Sequence, residues 1–109
     1  MEDLKIEIEG LEKRSEKFEA EIKEQSDEVT NTKELMTHAA TLIDKYKTQQ
    51  DNVRNNKEFE SLSKEIEFQA LEIQLADKRL NEFGAKISHK QERLDEYQTK
   101  IGELKSNIG

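Results

Sequence analysis

Residues 50–62 read QDNVRNNKEFESL, and residues 51–56 within this stretch form a short polar break between two long series of regularly spaced residues. The break is rich in Asn and Asp, whose side chains hydrogen-bond to nearby backbone and so favour turns over helix interiors. Asn55, followed three residues later by Glu58, is typical of a capping box, the pattern that starts a helix. The stretch therefore predicts a turn between two helices.

The series on either side of the break have the spacing of a coiled coil, in which positions a and d of a seven-residue repeat face the partner helix. Steps of four and three residues give the first series: Leu4, Ile8, Leu11, Ser15, Phe18, Ile22, Gln25, Val29, Thr32, Met36, Ala39, Ile43, Tyr46, Gln50 and Val53. Steps of three and four give the second: Phe59, Leu62, Ile66, Gln69, Ile73, Ala76, Leu80, Phe83, Ile87, Lys90, Leu94, Tyr97, Ile101, Leu104 and Ile108. We call these positions the seam.

The two series are mirror images about the break. When the second helix folds back on the first, Ala39 faces Ile73 and Met36 faces Ala76, and the residue numbers of every facing pair add up to the same total. Small side chains thus meet large ones, as an evenly packed interior requires. The sequence predicts an all-α fold, a long antiparallel two-helix coiled-coil hairpin. The predicted single domain, 1–109, consists of helix 2–53, turn 54–56 and helix 57–108.

The composition of the chain is that of a long helical protein rather than a compact domain, with 39% charged residues, 32% hydrophobic residues and no proline. No apolar run is long enough to predict a membrane span, and no export signal precedes the first helix, so we expect a cytoplasmic location. The net charge of -7 argues against direct nucleic-acid binding by this segment, because contacts with phosphates need clustered Lys and Arg.

The sequence contains no catalytic or metal-binding pattern. The chain has no cysteine, which excludes disulfides, thiolate catalysis and cysteine-based zinc sites from these residues. The predicted hairpin holds His38 and His89 far apart, so they cannot share a metal ion or act as a catalytic pair. We therefore expect a protein that is not an enzyme and that binds no cofactor through this chain.

A second group of large apolar side chains lies outside the seam, in the half of the hairpin nearest the turn. The predicted dimer face consists of Leu35, Leu42, Phe68, Leu71 and Leu75. An exposed apolar stripe of this kind usually buries against something. Three interpretations stay open: self-association into a four-helix homodimer, contact with another protein or a missing segment, and tolerated exposure.

The turn is the second candidate for function. Arg54, Asn55, Asn56 and Lys57 offer hydrogen-bond donors at the end of a hairpin that is acidic elsewhere, and they form the predicted binding tip for a protein partner of unknown identity. A capped turn by itself also explains both asparagines. The tip is therefore open to both a binding and a purely structural interpretation.

The turn and the second helix resemble a bacterial protein family. The likeness is carried by VRNNKEF at 53–59, followed by Leu62 and by KEIE at 64–67, and the stretch 39–50 fits as well. These residues resemble the Bacteroidetes-type branch of the C4 zinc-ribbon-domain proteins, in which a long helical hairpin precedes a four-cysteine zinc ribbon. The first thirty residues match only as a generic coiled coil.

The resemblance implies that the hairpin is a protein-binding or scaffolding arm and that the ribbon contacts nucleic acid or protein. Some relatives are linked to alternative sigma factors and to secretion or flagellar machinery. The ribbon and its cysteines are absent from these residues, so the resemblance implies an arm of a longer protein, with zinc expected only in the missing ribbon. Two functions stay open: an interaction arm of a zinc-ribbon regulatory protein, or a spacer and dimerisation arm of a nucleic-acid-binding one.

Overall fold

The computed structural model describes residues 2–108 and is built from two helices. Helix α1 spans Glu2–Asn52 and helix α2 spans Asn56–Ile108, and residues 53–55 connect them. The first helix therefore ends one residue before its predicted end, and the second begins one residue before its predicted start. The predicted all-α fold, two long helices packed as a hairpin, is confirmed.

The two helices pack against each other in two compact units. The tip unit, Val29–Glu82, contains the turn together with the adjoining parts of both helices. The open-end unit combines the residues of α1 up to Glu28 with those of α2 from Phe83 onward. Each unit is an antiparallel helix pair with its own stretch of the seam.

The side chains that the structure buries most are those at seam positions. Seven described residues are buried, and all of them belong to the seam: Ile8, Leu11, Ser15, Thr32, Ala39, Ala76 and Leu94. The other described seam residues are half-buried, apart from Phe59 next to the turn, which exposes 48% of its surface. No described side chain is fully buried, because two helices cover only one side of each other's seam residues. The interior is a strip that reaches water along both edges.

The open-end unit is held in register by contacts between its helices. The rings of Phe18 and Tyr97 stack with their centroids 5.6 Å apart. Three described ion pairs also cross from α1 to α2: Glu21 with Lys90 at 2.9 Å, Glu12 with Lys105 at 3.0 Å and Glu7 with Lys100 at 3.8 Å. Pairs as open to solvent as the last two stabilise a fold by about 0–1 kcal/mol each, so their main effect is on register.

Polar side chains in the seam find different partners. The Lys90 ammonium donates a hydrogen bond to the Glu21 carboxylate, which lowers the pKa of Glu21 from its ordinary value of 4.5. Gln50 makes two hydrogen bonds across the helix pair of the tip unit. Gln25, by contrast, holds its side-chain oxygen buried without a partner. Unpaired buried polar atoms weaken a fold, so Gln25 marks a soft layer of the open-end unit.

Candidate interaction surfaces

The turn is built around Asn55, which caps the start of α2. Its side-chain oxygen accepts a hydrogen bond of 2.8 Å from the backbone N–H of Lys57, and its carbonyl accepts one of 3.0 Å from the N–H of Phe59. On the other side of the turn, the N–H of Val53 donates to the carbonyl of Gln50 over 3.4 Å. Capping satisfies backbone donors that the first turn of a helix leaves free. The predicted capping role of Asn55 is thus present in the structure.

Gln50 joins the two helices directly below the turn. Its side-chain amide donates one hydrogen bond of 3.1 Å to the carbonyl of Phe59 and a second of 2.8 Å to the hydroxyl of Ser63. An amide nitrogen carries two hydrogens and can make both bonds at once. Gln50 therefore positions the first turn of α2 relative to the end of α1.

The four predicted tip residues, Arg54, Asn55, Asn56 and Lys57, are all exposed. Beside them the structure has a shallow hollow of ≈ 570 Å³ that is open to solvent. Its lining combines apolar and polar side chains: Gln49, Asn52, Val53, Lys57, Glu58, Ser61 and Leu62. Of the predicted tip residues, only Lys57 lines this hollow.

Phe59 belongs to the tip, although its spacing places it in the seam. It is half-exposed, because the seam ends at this level and α1 offers no further turn to cover the ring. Exposed aromatic side chains are frequent anchors in protein interfaces. The tip therefore presents an aromatic ring in addition to the predicted donors.

The predicted dimer face is largely gathered into one groove along the tip unit. Four of its five residues, Leu35, Leu42, Phe68 and Leu75, line a groove of ≈ 290 Å³ between the two helices. Counted from the seam, the two leucines of α1 occupy heptad position g, and Phe68 and Leu75 of α2 occupy position c. In an antiparallel pair, these positions lie on one shared side of the two helices. We call this surface the lateral groove.

Leu71 lies outside the lateral groove. It occupies heptad position f of α2, the position most remote from the seam, and 61% of its surface is exposed. Leu75 is less exposed, at 44%, because it borders the groove. The structure thus separates Leu71 from the other four predicted residues.

Polar residues complete the lateral groove. His38 from α1 and Glu72 and Arg79 from α2 contribute to its wall, and all three are exposed. From the sequence, His38 was considered only as a possible partner of His89, yet its position c lies beside the g positions of Leu35 and Leu42. The heptad position of His38 was therefore the sequence signal that it lies beside these leucines. The groove offers apolar contact area bordered by charges of both signs.

The described residues contain no group of three or more His, Asp or Glu side chains arranged to hold a metal ion. Over residues 2–108, neither helix has a stretch that is both long and apolar enough to cross a membrane. Comparison of the chain with protein-family models, with curated proteins and with solved structures finds no match. The lateral groove and the tip are the surfaces on which a function can be argued.

Proposed function

We propose that this chain is a non-enzymatic coiled-coil interaction arm, which pairs with a second copy through the lateral groove and leaves its tip free for a protein partner. The observation that supports the proposal best is the groove itself. Three of its large apolar side chains, Leu35, Phe68 and Leu75, expose 61%, 55% and 44% of their surfaces. Side chains of this kind gather in one groove where two proteins meet.

The exposed surface of the chain is large for its mass. A compact monomer of 12.7 kDa would expose roughly 6,200 Å², whereas this chain exposes 8372 Å². A stable protein interface removes roughly 1,200–2,000 Å² in total. The hairpin therefore has enough surface to form such an interface and still leave its tip in solvent.

The affinity expected from the groove is modest. Full burial of a Leu or Phe side chain stabilises by roughly 1.5–3 kcal/mol, and the three most exposed groove residues have about half of that left to gain. Counting both copies, this amounts to roughly 5–10 kcal/mol, against about 4–15 kcal/mol for the lost freedom of association. We therefore expect a dimer that dissociates on dilution.

A second copy is the occupant that the groove fits best, because both of its walls come from the same hairpin and carry matching features. Apolar residues lie on both helices, and Arg79 and Glu72 on the wall carry opposite charges. A four-helix dimer would also cover one open edge of the seam, which no described side chain closes in the single hairpin. Four-helix bundles bury such edges in this way.

Light scattering across a dilution series tests the proposal. We expect the wild-type mass to rise from 12.7 kDa toward twice that value with concentration, and the double variant Leu42→Glu with Leu75→Glu to stay monomeric and helical. Leu71→Glu is the matched control, since it adds the same charge to an exposed leucine outside the groove. A wild-type chain that is monomeric at every concentration would refute self-association.

The remaining parts of this proposal rest on the sequence. Binding of a protein partner is assigned to the tip because Arg54, Lys57 and Phe59 are exposed there together. A cytoplasmic location is supported by the highly charged composition. Membership of a zinc-ribbon protein stays a prediction, tested by reading the natural gene beyond Gly109 for two Cys-x-x-Cys pairs.

A further inference from the structure

We infer that the turn holds the two heptad series out of phase, and that this phase shift prevents two copies from opening and pairing as straight rods. The inference goes beyond the proposed pairing through the lateral groove, because it concerns how each copy stays closed on itself. The turn is then a conformational device as well as a connection.

The seam by itself does not distinguish a closed hairpin from a pair of open chains. Because the two series mirror each other about the turn, α1 of one copy could meet α2 of a second copy with the same facing residues, Ala39 opposite Ile73 among them. Exchange of identical elements between copies is a known hazard for chains with short connections. The seam contacts are equal in the two states, so the selection between them must come from the turn.

The backbone of the turn does not block opening. The described residues include no cis peptide bond and no residue with positive φ. The connection 53–55 also contains neither glycine nor proline, the residues that most often interrupt a helix. Val53, Arg54 and Asn55 could therefore join α1 and α2 into one continuous helix without backbone strain.

The spacing across the turn is what opposes such a helix. Within a heptad series, a residue at position d is followed four residues later by one at position a. Val53 is the last d residue of the first series, and Phe59, the first a residue of the second, follows it after six residues. In a continuous helix Phe59 would occupy position c and Leu62 position f. At about 100° per residue, the second series would be turned by about 200° from the first.

A pair of straight rods would therefore lose half of the seam. Two antiparallel rods bury only the surfaces that face each other along their length. With its two series on opposite sides, each rod would bury one series against its partner and leave the other in water. The closed hairpin avoids this loss, because the turn reorients α2 and buried residues come from both series.

The cap of α2 acts in the same direction, but only locally. The side-chain oxygen of Asn55 accepts a hydrogen bond of 2.8 Å from the backbone N–H of Lys57. In a continuous helix that N–H would bond to the carbonyl of Val53 instead, and Asn55 would lie in a helix interior, where asparagine is unfavourable. The cap favours an interruption at this point, whereas the phase shift acts on every layer of the seam.

Removal of two turn residues tests the inference. A variant that lacks Asn55 and Asn56 places Phe59 four residues after Val53, which merges the two series into one uninterrupted heptad repeat. Two such chains can pair as straight antiparallel rods and keep every facing pair of the seam. We therefore expect the deletion to convert the hairpin into a pair of open rods at high protein concentration.

A spin-label distance within one chain reports the state. Nitroxides on Glu34→Cys and Lys78→Cys occupy exposed f positions of the tip unit, and the chain has no other cysteine. An excess of the same chain without labels restricts the measured distance to one chain. On neighbouring helices of a hairpin the labels lie below about 30 Å apart, whereas in a rod of the deletion variant the helix rise gives about 60 Å. We expect the short distance for the unaltered turn and the long one for the deletion.

The double variant Asn55→Ala with Asn56→Ala is the matched control, since it removes the same side chains and the cap but keeps the spacing. We expect it to retain the short distance. A long distance in this control would assign the closed state to the cap, and a short distance in the deletion variant would show that the phase does not select the hairpin; either result overturns the inference. Pairing through the lateral groove changes neither distance, so failure of this inference is distinguishable from failure of the proposed dimer.

Discussion

Gln50 is expected to stabilise the turn through two side-chain hydrogen bonds. Replacing Gln50 with Ala removes the hydrogen bonds to the Phe59 carbonyl at 3.1 Å and to the Ser63 hydroxyl at 2.8 Å. A hydrogen bond within a protein contributes about 0.5–1.5 kcal/mol net, so the loss should lower the free energy of unfolding by about 1–3 kcal/mol. Thermal unfolding followed by circular dichroism measures this difference.

Gln49→Ala is the control, because it is the same change at the neighbouring position of the same helix. Helix propensity changes equally in the two variants, so the difference between them reports the contacts of Gln50. Gln49 is exposed and lies on the wall of the tip hollow. Amide hydrogen exchange over residues 53–59 should accelerate in Gln50→Ala only. Equal unfolding temperatures for the two variants would refute the role assigned to Gln50.

Two further predictions concern the open-end unit and the seam. Leu94→Ala should lower the free energy of unfolding by about 2–3 kcal/mol, the lower part of the range for a buried leucine, because the space left can fill with water. Leu71→Ala, at an exposed position, should change the unfolding temperature little. Equal effects of the two substitutions would contradict the assignment of the seam. The Lys90 hydrogen bond lowers the pKa of Glu21 below 4.5, so their pairing stabilises the fold above that pH and less as the pH falls through the folded-state value. Glu21→Gln should therefore lower the unfolding temperature at neutral pH and lower it by less in acid, unlike the control Glu24→Gln. A decrease in unfolding temperature that is the same at every pH would argue against the pairing of Glu21 with Lys90.

The hairpin could be predicted from spacing, because two heptad series that mirror each other about a turn can bury each other within one chain. Each described seam residue other than Phe59 is indeed buried or half-buried. The small seam residues Ser15, Thr32, Ala39 and Ala76 are all among the seven buried residues, as expected where a small side chain faces a large one. Side-chain volume and the seven-residue period were together sufficient to predict how the two helices pair.

Heptad spacing does not predict how much of a residue's surface is buried by the opposite helix. Phe59 has the correct period, yet it is half-exposed because the helix opposite ends at its level. Leu71 belongs to the same apolar stripe as Leu75, but the direction of its side chain places it outside the lateral groove. The two bonds of Gln50 depend on the path of the turn, which local sequence patterns leave open. The exposure of Phe59, the position of Leu71 and the contacts of Gln50 therefore depend on the three-dimensional path of the two helices and the turn.

The open edges of the seam affect how such a sequence can change over evolutionary time. Because no described side chain is fully buried, a polar substitution in the seam keeps part of its hydration and costs less than it would in a closed core. Gln50 and Lys90 already occupy such positions, whereas the side-chain oxygen of Gln25 is buried without a partner. A lineage can therefore exchange the identity of most seam residues while preserving their number and their distance from the turn. Relatives of this chain are best sought by the mirrored spacing of their seam rather than by residue identity.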